Sequence, residues 1–155
     1  MHEVFKKLYN RKIVVAAGIL IVIVVGFFLY RHSNERSNED YISVFTENRQ
    51  DFECVAKVMG KWASGSIDFD DGISSANQEI EKEISDNADF NNSLTNLYDL
   101  KEISCILIED DEITFYFSKF PKDYHGGISY GKNLKEKFGT ILIDDDWALK
   151  MLPNV

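Results

Sequence analysis

The sequence predicts an α+β fold: an N-terminal transmembrane helix, then helices packed on one face of an antiparallel four- to five-stranded meander sheet. Three observations lead there. Residues Ile13 to Tyr30 contain no charged side chain. From Tyr41 onward, apolar residues recur at three- and four-residue steps, the repeat of a helix with one buried face. From Ser104 onward the period shortens and β-branched and aromatic residues dominate, which is the pattern of strands.

The uncharged run comprises 18 residues, and at about 1.5 Å of rise each they cover roughly the hydrocarbon core of a bilayer. A soluble buried helix would need protein on every side, more than the remaining chain can wrap around it. A cleavable signal has a shorter apolar region followed by small residues, whereas this run closes on Phe27, Phe28, Leu29 and Tyr30, which suit the membrane–water interface. Lys6, Lys7, Arg11 and Lys12 precede the run, and only Arg31 and Arg36 closely follow it. Because basic residues resist translocation, residues 1–12 are expected in the cytoplasm, 13–30 in the membrane, 31–40 as a juxtamembrane linker and 41–155 as an extracytoplasmic α+β domain. Gly18 and Gly26 lie on similar faces of the helix and would permit helix–helix contact.

The chain of 155 residues has a net charge of −9, and from Arg31 onward it holds 13 basic and 25 acidic side chains, a net of −12. Binding nucleic acid by counterion release needs clustered Lys and Arg, so no nucleic acid is expected. A basic protein partner suits the charge. Cys54 and Cys105 are a candidate disulfide in an oxidising compartment, where the bond would link distant elements. Against it, Cys54 falls off the apolar stripe of its helix and Cys105 alternates away from the better-buried face of its strand, so two free thiols are the competing expectation.

Ser37 followed by Asp40 offers a cap for the first helix of the domain. Tyr41, Phe45, Phe52, Val55, Met59 and Trp62 predict one amphipathic helix to about Trp62, with Asn48 the polar intruder and Ala63-Ser64-Gly65-Ser66 the stop. A second helix is predicted over Ser75 to Ser85, capped by Ser75 and Gln78, with Ile73, Ala76, Ile80 and Ile84 as its stripe. A third, Asn91 to Leu100, presents Leu94, Leu97, Tyr98 and Leu100. Ser104–Ile108 and Ile113–Phe117 then read as a hairpin. A two-residue turn at Asp110-Asp111 pairs Ile106 with Phe115 and Ile108 with Ile113 on the core face. Gly127–Tyr130 reads as a short strand, and Thr140–Ile143 with Trp147–Met151 as a closing hairpin across Asp144-Asp145-Asp146.

Several motifs touch on chemistry. Gly127-Ile128-Ser129-Tyr130-Gly131 matches the serine-hydrolase elbow G-x-S-x-G, but no histidine follows Ser129 to act as its base. Asp68-Phe69-Asp70-Asp71-Gly72 with Glu79 has part of a calcium-loop pattern, with the glycine one place early and Asp71 at a non-liganding position. Consecutive carboxylates at Asp144, Asp145 and Asp146 point in different directions and fit a turn better than one ion. His2, His32 and His125 are too scattered for a zinc site, and His125 is the one plausible catalytic base. Asn91-Asn92-Ser93 fits a glycosylation sequon. No cofactor, metal or catalytic residue is predicted.

Ile113-Thr114-Phe115-Tyr116-Phe117, Gly126-Gly127-Ile128-Ser129-Tyr130, Gly139-Thr140 and Asp146-Trp147 together resemble small membrane-anchored bacterial proteins of unassigned function, some of them immunity proteins that neutralise secreted antibacterial toxins. The resemblance implies a membrane-anchored, non-catalytic extracytoplasmic domain that binds a protein partner, as an inhibitor or immunity protein does, and it transfers no site residue. The alternatives are a small ectoenzyme, a metal-dependent hydrolase built on His125, and a structural subunit of an envelope complex.

Overall fold

The computed structural model describes residues 23–25, 36–120, 124–132, 134–135 and 139–153. The chain divides into two units, Met1–Arg36 and Ser37–Val155. In the first, Ile23–Val25 are helical and exposed. The rest of the predicted membrane helix Ile13–Tyr30 lies outside the described residues, as do residues 1–12. Among the described residues no helix is long and apolar enough to cross a membrane.

The second unit begins at a reciprocal cap. Ser37 N–H donates to Asp40 Oδ2 at 2.8 Å, and Asp40 N–H donates to Ser37 Oγ at 3.4 Å. The pair satisfies N–H groups that a helix start leaves without partners. Helix α1 therefore runs Asn38–Glu47, taking three residues from the segment predicted as linker. The single helix expected to reach Trp62 is two helices, α1 and α2 (Arg49–Met59), broken at Asn48. Asn48 sits at φ −116° and turns its side-chain amide back to donate to Val44 O at 2.8 Å. Asparagine readily satisfies backbone groups in this way, and the polar intruder in the stripe is the hinge between two helices.

Of the predicted helix stop Ala63-Ser64-Gly65-Ser66, the last two residues open strand β1, Gly65–Asp68. Helix α3 spans Gln78–Asp86 and is capped by Asn77, whose Oδ1 accepts from Glu79 N–H at 2.9 Å. The predicted cap residue Ser75 lies outside it. Helix α4, Ala88–Asp99, starts three residues earlier than expected because Asn87 caps it, accepting from Phe90 N–H at 3.1 Å. It ends where Lys101 adopts φ 56° and lays its ammonium 3.5 Å from the Tyr98 ring centre.

The sheet contains β1, β2 (Ile103–Glu109), β3 (Glu112–Phe117), β4 (Tyr124–Tyr130), β5 (Thr140–Leu142) and β6 (Trp147–Pro153). Its order is β1-β2-β3-β4-β6-β5 and all neighbours are antiparallel. The α+β class is as predicted, and so is the β2–β3 register, with Ile106 opposite Phe115 and Ile108 opposite Ile113. The strand number and the meander are not. Among the described residues there are six strands, and β6 passes between β4 and β5, where Trp147, Ala148 and Leu149 are all buried with neighbours on both sides.

One face of the sheet carries Ile67, Ile106, Ile108, Ile113, Phe115, Ile128, Trp147 and Leu149, all buried. Helices α1 and α2 cover it through an aromatic cluster. Phe45 meets Trp147 with ring centres 4.7 Å apart, and Phe52 meets Phe115 edge-on at 4.8 Å. Tyr41 packs on Phe117 and Phe120 and donates its hydroxyl to Lys119 O at 2.9 Å, so the ring is buried without a stranded polar atom. Helix α4 contributes Phe90, Leu94 and Leu97 to the same core. The opposite face holds Cys105, Leu107, Thr114 and Tyr116, half-buried, and Lys150 paired with Glu112.

Candidate protein-docking surface

Between Asp68 and Asp89 the sequence holds eight carboxylates and one basic residue, Lys82. The fold gathers them along the β1 edge of the sheet. Loop geometry starts the cluster: Asp70 N–H donates to Asp68 Oδ1 at 2.8 Å, and Asp68 and Ser74 pair as an antiparallel bridge, turning the chain back toward α3. Helix α3 buries only Ile80 and Ile84, so its remaining faces meet solvent. Glu79, Glu81 and Asp86 are exposed there, and Asp68, Asp70 and Asp71 are exposed beside them.

Part of this acidity is local structure. Glu79 and Glu81 occupy the first turn of α3, where the helix dipole favours negative charge. Glu81 Oε2 accepts from Ser75 N–H at 2.8 Å, and Glu79 Oε2 accepts from the Trp62 indole at 3.2 Å. Glu83 is held by Asn87 and by Lys61, at 2.8 and 3.0 Å, and these partners keep its carboxyl below the ordinary glutamate range, Asn87 contributing most. Among the described residues, Asp68, Asp70, Asp71, Glu79, Glu81 and Asp86 form no ion pair. A cationic surface brought against them would meet little competition from cations of this chain.

The residues that suggested chemistry are kept apart. Ser129 lies near the C-terminal end of β4, fully buried, 2.9 Å from Thr114 Oγ1 in a hydroxyl pair across the strands. Among the described residues no strand-to-helix turn follows it, and its burial is the opposite of the exposed elbow serine. The first glycine of that motif serves packing: a Cβ on Gly127 would run into Phe115 O on the neighbouring strand. His125 is four residues away on the same strand, about 13 Å along it, and stacks on Tyr116. Glu79, the twelfth-place residue of the calcium-loop pattern, is turned to Trp62. Among the described residues no group of three His, Cys, Asp or Glu could hold a metal ion.

Cys54 and Cys105, considered above as a disulfide, are both free thiols. Cys54 Sγ lies 3.8 Å from Asp89 O in the helical layer, while Cys105 is on the far face of the sheet. Burial raises the Cys105 thiol above its ordinary pKa, a Ser104 hydrogen bond opposing and Asp68 and Asp70 adding to the rise. Tyr116 is raised likewise, first by burial and then by Glu109.

Asp144, Asp145 and Asp146 form the β5–β6 turn. Asp144 Oδ1 accepts from Asp146 N–H and Trp147 N–H, each at 3.0 Å, and its Oδ2 lies 2.8 Å from Arg49 Nη2. That second contact is an ion pair. Arg49 also holds Glu53 at 2.6 Å, and these hydrogen-bonded and charged partners raise its pKa, Glu53 first. Arg49 thereby ties α2 to the far end of the sheet.

A cleft of about 640 Å³ opens between the end of α2 and the β2–β3 turn, bordered by Lys57, Trp62, Asp110, Asp111, Tyr130 and Lys132. His125 and Ser129 do not line it. Its wall is mixed in charge, with aromatic sides and no nucleophile paired to a base.

No family model, curated protein or solved structure matches the chain.

From sequence, the Ser75–Ser85 helix has a narrow apolar stripe with acidic and polar faces around it; the structure adds the exposed loop carboxylates Asp68, Asp70 and Asp71 beside that helix.

Proposed function

We propose that this chain is a membrane-anchored, non-catalytic binding protein whose extracytoplasmic domain docks a basic protein partner, in the manner of an inhibitor or immunity protein. The observation that carries this is the exposed set of carboxylates on α3 and the loop before it that make no ion pair among the described residues, in a chain whose net charge from Arg31 onward is −12. Complementary charge of this kind steers encounter and fixes orientation more than it adds affinity, so the partner would bind fast and salt-sensitively. The anchor is the uncharged run Ile13–Tyr30, and its orientation rests on the four basic residues before it against two after it. A tether that holds the domain at the outer surface would suit interception of a partner arriving there.

Crosslinking the full-length protein in native membranes tests the reading. A basic protein should be captured at low salt, lost at high salt, and lost when Glu79, Glu81 and Asp86 are all changed to Lys. Capture of nothing at low salt, or undiminished capture by the triple variant, would sink it.

A further inference from the structure

Asp71 is the only aspartate in the chain followed by glycine. The pair sits in the middle of a loop held at both ends. Asp68 N–H donates to Ser74 O at 2.8 Å, Ser74 N–H donates to Asp68 O at 3.1 Å, and Phe69 is buried edge-on against Tyr98. Between those fixed points the peptide is left alone. Asp70 N–H is taken by Asp68 Oδ1, but among the described residues the Asp71 carboxyl and the Gly72 N–H make no hydrogen bond, and Asp71 makes no ion pair. Asp71 is exposed, and Gly72 takes φ 121°, a backbone region that residues with a side chain rarely adopt. A Cβ placed on Gly72 would meet nothing within 4 Å, so open space surrounds that residue.

We propose that Asp71–Gly72 is a modification site, where Asp71 converts spontaneously to isoaspartate through a cyclic succinimide while the protein stays folded. The Gly72 backbone nitrogen attacks Cγ of the Asp71 carboxylic acid. The N–Cγ bond forms, and the carboxyl hydroxyl leaves with the amide proton as water. A water molecule then opens the five-membered ring. Addition at Cγ breaks the new bond and returns aspartate. Addition at the main-chain carbonyl carbon of Asp71 breaks its bond to the Gly72 nitrogen and leaves the chain running through Cγ. The product has the mass and charge of the original, with a backbone one methylene longer and its carboxylate on Cα.

Ring closure needs an unhindered nitrogen and a loop that lets the chain fold onto its own side chain. Glycine meets the first need, and the unheld amide and carboxyl meet the second. Asn92–Ser93 is the internal contrast. It could close the same ring with loss of ammonia, but it lies within helix α4, where Ser93 is buried and its amide belongs to the helical ladder. Isoaspartate at position 71 would move a carboxylate on the proposed docking surface, but its formation does not depend on what docks there.

The test ages the full chain in lipid nanodiscs in warm neutral buffer, beside the same chain unfolded in guanidinium. Digestion, chromatographic separation of isomeric peptides and methyl transfer to isoaspartyl carboxyls by an isoaspartyl methyltransferase locate and count the product. Isoaspartate should accumulate at Asp71 in the folded protein at no less than about a tenth of its rate in the unfolded chain, because no structural opening must come first. Deamidation of Asn92 should be seen only after unfolding. Asp71→Glu keeps the charge but cannot close the five-membered ring, so it should abolish the isoaspartyl signal of the folded protein. Absence of isoaspartate at Asp71 in the folded protein, a slowing there as large as at Asn92, or an undiminished signal in Asp71→Glu would each overturn the proposal.

Discussion

Asp144, Asp145 and Asp146 are the same amino acid three times over, yet only the first is held by structure. Asp144 accepts two backbone N–H groups of its own turn and faces Arg49, whereas Asp145 and Asp146 point to solvent. Asp144→Ala should cost about 1–2 kcal/mol in chemical denaturation, the loss expected for an Asx cap with one partly exposed ion pair. Asp145→Ala should stay within about 0.5 kcal/mol. Equal losses at the two positions would show that the turn, not the side chain, holds β5 to β6. The sequence supports a turn here but does not show which carboxylate anchors it, because Arg49 is far away along the chain. The same limit applies to Ser129: G-x-S-x-G is visible in the sequence, while its burial against Thr114 depends on strand pairing.

Elements built from local contacts were the most legible. The β2–β3 hairpin follows from alternation plus a two-residue gap, and its central residues Asp110 and Asp111 adopt φ 50° and 62°, as a two-residue turn between right-twisted strands demands. Aspartate tolerates this region less well than glycine. Asp111→Gly should therefore raise stability by about 1 kcal/mol, read as a higher denaturation midpoint at unchanged slope. A lower midpoint would mean that the Asp111 side chain contributes more than its backbone strain costs. Strand β1 was missed because Gly65 and Ser66 carry weak strand preference, and their place is fixed by pairing with Ile108 and Leu107. The break at Asn48 was visible as one polar residue in an apolar stripe. Whether such a residue bends, ends or merely interrupts a helix is decided by what its amide finds, here Val44 O.

Charge acts on the molecule as a whole. With a net of −12 from Arg31 onward, self-repulsion opposes the compact state at neutral pH. Screening contracts from about 30 Å at 0.01 M salt to about 8 Å at 0.15 M, so the melting temperature should rise over that interval. A fall would show that favourable pairs such as Arg49–Asp144 outweigh the excess of like charge. This balance is legible in composition. Strand order is not, because nothing local says that β6 will pass β5 and settle against β4.

That order has a bearing on how the protein is made. Of the six strands β6 is synthesised last, yet it bridges β4 and β5 and carries Trp147 into the aromatic cluster with Phe45. While the nascent chain is still emerging, β4 has one neighbour, β5 has none, and Phe45 lacks its largest contact. A ribosome that stalls at Asp146 leaves a half-built sheet with an exposed hydrophobic seam, a substrate for proteases and chaperones rather than a smaller working domain. The sheet of this unit is therefore completed only once its final strand becomes free of the machinery that delivers it.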